Sequence, residues 1–227
     1  MLKEVTRFPG AHGRIPNFKG AEQAARQLFR LDVWQKAGTV KSNPDSPQRY
    51  VRYAALRDGK IVYQAVPRLR QKKPFIELDP RRLDESVLWG ASSIKGAFAK
   101  GRPVDIEEMP AIDLIVAGSV AVSHDGTRLG KGGGYSDLEY ALCREAELVH
   151  ADTPIVTTVH SLQIVPEGQI QMMEHDIPVN YFATPDEVVQ TDFPYPRPSG
   201  IFWEKLGDKL GEIPVLQKLR KEREIQS

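Results

Sequence analysis

The stretch from Gly126 to Asp137, "GTRLGKGGGYSD", has the residue types and spacing best suited to binding an anion. Five of its first nine positions are glycine, and two cations, Arg128 and Lys131, stand among them. Glycine loses more conformational freedom on folding than any other residue. A run this dense therefore indicates that a ligand approaches the main chain closely.

The residues after the glycines predict the start of a helix. Ser136 and Glu139 fit the S-x-x-E capping box, which would place the helix N-terminus at Ser136. Helix N-termini carry unpaired N–H groups and a partial positive charge, so phosphate groups bind there. Arg128 and Lys131 would add charge-assisted hydrogen bonds to the same anion. We therefore predict a phosphate-binding loop.

The glycine spacing fits neither of the two common phosphate-loop motifs. A P-loop requires G-x-x-x-x-G-K-[ST], and no Ser or Thr follows the pair Gly130-Lys131. The Rossmann spacing G-x-G-x-x-G is also absent, because the glycines are too compressed. On spacing alone a flexible surface turn stays open as an alternative, although the two cations argue against it.

Asp137 suggests a metal ion at the same place. A carboxylate in the first turn of a helix interacts favourably with the helix dipole, which is a purely structural role. Beside a bound phosphate, however, it would be repelled unless a cation lay between them. Hard oxygen ligands together with phosphate describe a Mg²⁺ site. We therefore predict a nucleoside triphosphate with Mg²⁺ at Asp137.

The elements around this loop predict an α/β protein. The apolar run "AIDLIVAGSVAVS" is typical of a strand buried on both faces, and "SDLEYALCREAELV" predicts a helix. Further strands are predicted in "PIVTTVHSLQIV" and "IPVNYFAT". Alternation of strand and helix indicates a mainly parallel sheet with right-handed crossovers.

The first half and the tail are less regular. "GAEQAARQLFRLDVWQKAG" predicts one helix, and "RYVRYAAL" and "KIVYQAV" predict two strands joined by the turn "RDG". The basic stretch that contains Arg68, Arg70, Lys72 and Lys73 is either a solvated loop or a guide for phosphates. The tail predicts one or two amphipathic helices, the second beginning at Pro214.

Composition bounds the class of protein. The 227 residues are 41% hydrophobic, and Lys plus Arg (31) nearly balances Asp plus Glu (30), so no global attraction to nucleic acid or to membranes is expected. The single Cys143 excludes an intrachain disulfide, and we interpret it as a packing residue. No apolar run has the length of a membrane span, and the start lacks a signal peptide. We expect a cytoplasmic protein that is a monomer or homodimer.

Two segments resemble one known family. "DLIVAGSVAVSHDGTRLGKGGGYSD" and "EHDIPVNYFATPDEV" are similar, in order and separation, to the signatures of the 5-formyltetrahydrofolate cyclo-ligases, also called methenyltetrahydrofolate synthetases. "RIPNFKGA", "NPDSPQR" and "VPRLR" resemble the divergent branch of methenyltetrahydrofolate synthetase domain-containing proteins.

The resemblance implies a three-layer αβα fold with a mainly parallel sheet, related to the ribose-phosphate isomerase and coenzyme A transferase group. We expect a cyclo-ligase-like α/β domain over residues 1–195 and a C-terminal helical tail over 196–227, packed on it or exposed. It also implies a reaction that depends on ATP and Mg²⁺, in which the formyl oxygen of 5-formyltetrahydrofolate attacks the γ-phosphate. Ring closure then gives 5,10-methenyltetrahydrofolate.

The resemblance also implies roles for individual residues. Arg128, Lys131 and Tyr135 would take part in catalysis, and Asp137 would bind Mg²⁺. Lys19 and Arg26 could replace a Lys and an Arg that the family carries on its first helix. The ATP phosphates would be held by Arg128, Leu129, Gly130, Lys131, Gly132, Gly133, Gly134 and Tyr135.

Several positions depart from the family pattern. Ser136 stands where the family has a second Tyr, and Ala117 stands where it has a Pro. A family Glu that contacts the folate has no clear match, and only Asp45 and Gln48 are nearby candidates. A nucleotide- or folate-binding homologue without turnover, or with another substrate, therefore stays open. A sugar-phosphate enzyme of the same fold group would need a catalytic motif that we do not find.

Overall fold

The computed structural model describes residues 5–7, 11–192 and 195–226, and it is built around one large sheet. The described residues contain ten strands: β1 (Thr39–Ser42), β2 (Ile61–Ala65), β3 (Phe75–Leu78), β4 (Arg102–Val104), β5 (Leu114–Ala117), β6 (Ala121–Val122), β7 (Arg128–Leu129), β8 (Ile155–Thr158), β9 (Tyr181–Ala183) and β10 (Val188–Gln190). Eight of them form a sheet in the order β10-β9-β8-β5-β1-β2-β3-β4, while β6 and β7 form a separate hairpin.

The middle of the sheet is parallel. Strands β9, β8, β5, β1 and β2 run in the same direction, and antiparallel strands lie at both edges. Every residue of β1, β5 and β8 is buried, as is typical of strands covered on both faces. The predicted α/β class with a mainly parallel sheet is confirmed.

Helices cover both faces of the sheet and complete three layers. They are α1 (Ala21–Leu28), α2 (Asp32–Lys36), α3 (Arg49–Arg57), α4 (Leu88–Ala91), α5 (Ile94–Lys100), α6 (Tyr135–Glu145), α7 (Lys209–Glu212) and α8 (Pro214–Gln226). Alternate residues of β5 point to opposite layers: Ile115 and Ala117 pack with α6 and the tail, whereas Leu114 and Val116 pack with α1, α3 and α4. No helix in the described residues is long and apolar enough to cross a membrane.

Two predictions for the first half of the chain are wrong. The helix expected over residues 20–38 is broken into α1 and α2, because Leu31 is extended. The break brings Trp34 into the core, where its ring packs 4.5 Å from that of Phe29. The segment "RYVRYAAL" forms helix α3, because Val51, Ala54 and Ala55 bury one helical face. The apolar residues of a run this short fit both the two-residue repeat of a strand and the 3.6-residue repeat of a helix.

The apolar run after Ala111 does not form one long strand. Strand β5 ends at Ala117, and the chain then turns into the β6–β7 hairpin that carries Arg128. A side chain at Gly118 would place its Cβ 2.6 Å from the Asp45 carboxylate, so any other residue at this turn would displace Asp45. The glycine run begins at Gly130, directly after β7.

The C-terminal tail packs on the same core. Ile201, Leu206, Ile213, Val215 and Leu216 are buried in the apolar layer that also contains α6. Helix α8 begins at Pro214, as predicted.

A buried arginine holds the loop that follows β1. Arg52 is buried, and its guanidinium donates to the carbonyl oxygens of Asn43 (2.5 Å), Pro44 (3.2 Å) and Asp45 (3.2 Å). Burial lowers the pKa of Arg52 to about 9, which still leaves the group charged at neutral pH. Arg52 therefore fixes the backbone between Asn43 and Asp45.

We expect Arg52→Lys to lower the free energy of unfolding by about 2–4 kcal/mol, because one ammonium cannot satisfy the carbonyls that the planar guanidinium bonds. Urea denaturation measures this. Arg57→Lys, on the exposed side of the same helix, should change stability by less than about 0.5 kcal/mol. Equal effects of the two variants would contradict the role of Arg52.

Cys143 lies fully buried in α6, and burial raises the pKa of its thiol to about 12. We expect no labelling of the folded protein by a thiolate-selective reagent at pH 8, because the reactive thiolate is not formed and cannot be reached. Labelling should follow the unfolding transition as urea is added. Rapid labelling without denaturant would refute this.

Candidate functional site

A cavity of about 270 Å³ opens at the carboxyl ends of the parallel strands. Asn43 and Asp45 follow β1, Arg68 follows β2, and Gly118 follows β5, and all four line this cavity. The first residues of α6 and the glycines before it form the opposite wall. Ligands of open α/β sheets bind at this edge, because polar loops converge there.

The glycine run adopts backbone conformations that require glycine. Gly132 and Gly134 have φ angles of 81° and 61°, in the left-handed region. Gly134 is the N-cap of α6, and no side chain caps this helix. The predicted capping box of Ser136 and Glu139 is therefore wrong, because both side chains bond elsewhere.

The backbone N–H groups of this segment have no acceptors within the chain. Across the described residues, none of the N–H groups from Gly130 to Asp137 donates a hydrogen bond. Leu138 is the first residue of the helix whose N–H is bonded, to the Gly134 carbonyl oxygen at 3.0 Å. These free donors lie at the positive end of an α-helix, which is the usual arrangement for binding a phosphate.

Arg128 is an internal residue rather than an open cation. Its side chain is 2% exposed, and its guanidinium donates to Asp137 Oδ1 (2.5 Å), the Gly118 carbonyl oxygen (3.1 Å) and the Ile177 carbonyl oxygen (3.4 Å). Because these bonds use three of its donors, Arg128 serves chiefly to fix the hairpin against α6. Arg128 also lines the cavity, and the direct phosphate contact expected from the sequence stays a prediction.

Asp137 lines the cavity, and one of its two carboxylate oxygens is already hydrogen-bonded. Its Oδ1 accepts hydrogen bonds from Arg128 and from the Ile177 N–H (3.2 Å), whereas Oδ2 accepts none within the described residues. The same residues contain no group of three His, Cys, Asp or Glu side chains that could hold a metal. One carboxylate oxygen fits Mg²⁺ that is also held by phosphate oxygens and water, which is the usual way this ion binds.

Lys131 and Tyr135 line the cavity as well. The Lys131 side chain is 47% exposed, and its Nζ lies 2.9 Å from Asp45 Oδ1, so it joins the glycine run to the loop after β1. Tyr135 is half-buried. Gly130, Gly133 and Gly134 also contribute to the wall, whereas the exposed Leu129 and Gly132 do not.

The structure does not bring Lys19 and Arg26 to this cavity. Lys19 is exposed just before α1. Arg26 lies on the outer face of α1, where it forms an ion pair with Glu22 at 2.7 Å. Because α1 directs its apolar face toward the sheet, both cations are exposed and neither lines this cavity, so the structure gives no support to the expectation that they replace the family's Lys and Arg.

Two other arginines line the cavity in their place. Arg14 is the first residue of the family-like segment "RIPNFKGA", and Arg68 comes from the basic stretch after β2. Within the described residues, neither guanidinium has a partner. Arg68 and Leu69 have φ angles of 56° and 54°, and each left-handed residue of this kind costs roughly 1–2 kcal/mol. Such strain is common where a residue is held for function.

Asn43 joins the walls of the cavity. Its Oδ1 accepts from the Gly118 N–H (3.0 Å) and from the Ser136 hydroxyl (3.0 Å), and its Nδ2 donates to Glu139 (2.9 Å). Glu139 also forms a buried ion pair with Lys41. Burial raises the pKa of Glu139 despite the opposing effect of Lys41.

Of the two candidates for the family's missing Glu, the structure brings one to the site. Asp45 lines the cavity. Gln48 is buried elsewhere and donates to Thr158 Oγ1 at 3.1 Å. A carboxylate, free amides and unpaired cations thus surround one space, which suits binding and orientation of a polyphosphate.

Comparisons with known proteins identify the family of this chain. The family model for 5-formyltetrahydrofolate cyclo-ligases matches residues 2–185. The chain is 41% identical to the methenyltetrahydrofolate synthase domain-containing protein of Mus musculus, covering 99% of this chain and 60% of that protein. The protein of the same name from Homo sapiens is 38% identical, covering 92% of this chain and 55% of that protein.

A solved structure supports the fold. The 5,10-methenyltetrahydrofolate synthetase of Aquifex aeolicus superposes with a TM-score of 0.51 at 21% identity, covering 75% of this chain and 80% of that one. The chain spans somewhat more than half the length of the curated relatives it matches. From the family match and these identities, the chain belongs to the 5-formyltetrahydrofolate cyclo-ligase family.

Proposed function

We propose that this chain uses ATP and Mg²⁺ to convert 5-formyltetrahydrofolate into 5,10-methenyltetrahydrofolate. The observation that carries the proposal is the row of unpaired N–H groups from Gly130 to Asp137 along a cavity at the carboxyl edge of the sheet. Membership of the cyclo-ligase family supports the same reaction class.

In this proposal ATP supplies the phosphoryl group that turns the formyl oxygen into a leaving group. The chain itself binds and orients the reactants and neutralises charge, which is the main contribution of proteins to phosphoryl transfer. The free amides hold the phosphates, and Arg14, Arg68 and Lys131 offset their negative charge. Arg128 acts indirectly, by fixing the first turn of α6.

Other residues that line the cavity would hold the Mg²⁺ ion and the folate. Asp137 Oδ2 would hold Mg²⁺ together with phosphate oxygens, while its Oδ1 stays bonded to Arg128. The folate would lie between Tyr135 and Asp45, against the apolar side chains of Ile15 and Val66, which line the same cavity. The Asp45 carboxylate takes the place of the family's Glu.

A second function is favoured by one specific observation. The Ser136 hydroxyl is bonded to Asn43, and the Asp45 carboxylate is bonded to Lys131, so the wall where the family has a second Tyr is polar and already paired. Such a wall favours a homologue that binds nucleotide or folate without turnover, or that acts on another substrate, because its polar groups are already bonded within the chain.

One pair of measurements separates the two functions. Absorbance of the conjugated methenyl product, followed with 5-formyltetrahydrofolate, ATP and Mg²⁺, tests turnover. Thermal denaturation with Mg-ATP tests binding, and ligand at 100 times its Kd should add about 2.7 kcal/mol to the free energy of unfolding. Product formation supports the cyclo-ligase. Stabilisation without product favours the binding protein. If Mg-ATP neither stabilises the protein nor supports product formation, both functions are contradicted.

We expect Asp137→Asn to abolish the Mg²⁺ dependence of ATP binding measured by calorimetry. The variant should also lose about 3–5 kcal/mol of stability, because buried Arg128 loses its counter-charge. Binding is therefore measured at a temperature where circular dichroism shows the variant folded. Asp32→Asn, on the exposed α2, should keep the wild-type Mg²⁺ dependence. Unchanged Mg²⁺ dependence in Asp137→Asn would show that the metal assignment is wrong.

We expect Arg68→Met to weaken Mg-ATP binding about tenfold, the loss of one charge-assisted contact. Lys72→Met is the matched control, because Lys72 is an exposed cation of the same loop that does not line the cavity. It should bind Mg-ATP like the wild type. If both variants lose affinity equally, the loop acts only through its general charge.

A further inference from the structure

The segment after Gly200 forms a second wall against the glycine run. A smaller cavity of about 70 Å³ shares Gly134 and Asp137 with the larger one, and its other side is formed by Phe202, Lys205 and Lys209. The match to the family model ends at residue 185, so these three side chains lie outside the matched region.

Lys209 places an ammonium group directly at the start of α6. Its Nζ lies 3.2 Å from the position that a Cβ on Gly134 would occupy, and 5.4 Å from the centroid of the Tyr135 ring. Within the described residues, Nζ of Lys209 has no carboxylate partner. The neighbouring Lys205, by contrast, is paired with Glu174.

The Lys209 ammonium is attracted to the face of the Tyr135 ring and repelled by the nearby helix N-terminus, and a bound anion would supply the missing opposite charge. The N-terminus of α6 carries a partial positive charge, and an ammonium beside it is repelled. The carboxylate of the first turn, Asp137, does not relieve the repulsion fully, because it is already paired with Arg128. The site thus combines free amides with an unpaired cation, and an anionic phosphate is the complement of both.

The segment is held firmly enough to present Lys209 in this place. Helix α7 ends at Glu212, which forms an ion pair with Arg70 at 2.6 Å. The next residue, Ile213, is buried in the core, as is Leu216. Arg70 belongs to the same basic stretch as Arg68. Helix α7 therefore contacts this stretch through Glu212 and the glycine run through Lys209.

We propose that Lys209 is a phosphate-binding residue of the glycine-loop site, which the C-terminal segment thereby completes. Its ligand is a terminal phosphate of the polyphosphate chain. This inference rests on the proposed function, because it assumes that a polyphosphate binds along the free amides.

The test measures Kd values for inorganic triphosphate and for Mg-ATP by calorimetry on the full chain. Lys209→Met should weaken both about tenfold, because it removes the charge and keeps most of the aliphatic stem. Lys209→Arg should bind within about threefold of the wild type, since it restores the cation. Lys221→Met, an exposed lysine of α8, should bind as the wild type does.

Two further readouts separate charge from structure. The affinity of the wild type should fall more steeply with salt concentration than that of Lys209→Met. Without ligand, the thermal unfolding midpoint of Lys209→Met should be no lower than that of the wild type, because the variant removes a cation from the N-terminus of α6. Wild-type binding that Lys209→Met leaves unchanged would overturn the role of Lys209 and leave the proposed function standing. Failure of the wild type to bind either polyphosphate would overturn both.

Discussion

The buried ion pair between Arg128 and Asp137 is the interaction on which the site depends. It joins the β6–β7 hairpin to the first turn of α6, and residues 130–134 form the loop between β7 and α6. Removing one partner of a buried pair leaves an uncompensated charge, at a cost of about 3–5 kcal/mol. The N–H groups of the glycine run can therefore remain without acceptors, because charged side chains fix the two ends of the run in place of hydrogen bonds within it.

A second constraint comes from the edge of the parallel sheet. Strands β1, β2 and β5 end side by side, so the residues that follow them meet although they are far apart in the chain. Asn43 binds Gly118 and α6 together, and Arg52 holds the backbone that presents Asn43. Both residues act by satisfying backbone and side-chain groups that would otherwise be unpaired in a buried place. The position of Asp45 follows from the same loop.

The cations of the site divide into those that build it and those that are open to a ligand. Arg52 and Arg128 are buried and bond carbonyl and carboxylate oxygens of the chain. Arg14, Arg68 and Lys209 have no carboxylate partner within the described residues. A nearly neutral protein can thus concentrate positive charge in one cavity, because its 31 Lys and Arg residues balance its 30 Asp and Glu residues over the whole chain and not within each cavity.

The sequence by itself determined the α/β class, the glycine loop before a helix and the family, because apolar periodicity and a dense local motif are carried by neighbouring residues. It did not determine the period of "RYVRYAAL", since eight residues fit both a strand and a helix until one face is buried. Only the tertiary structure decided that Ser136 and Glu139 bond Asn43 and Lys41, that Arg128 is internal, and that Arg14, Arg68 and Lys209 surround the loop. Those contacts join distant segments, and which cation is used for folding and which stays open depends on burial, which no local pattern records.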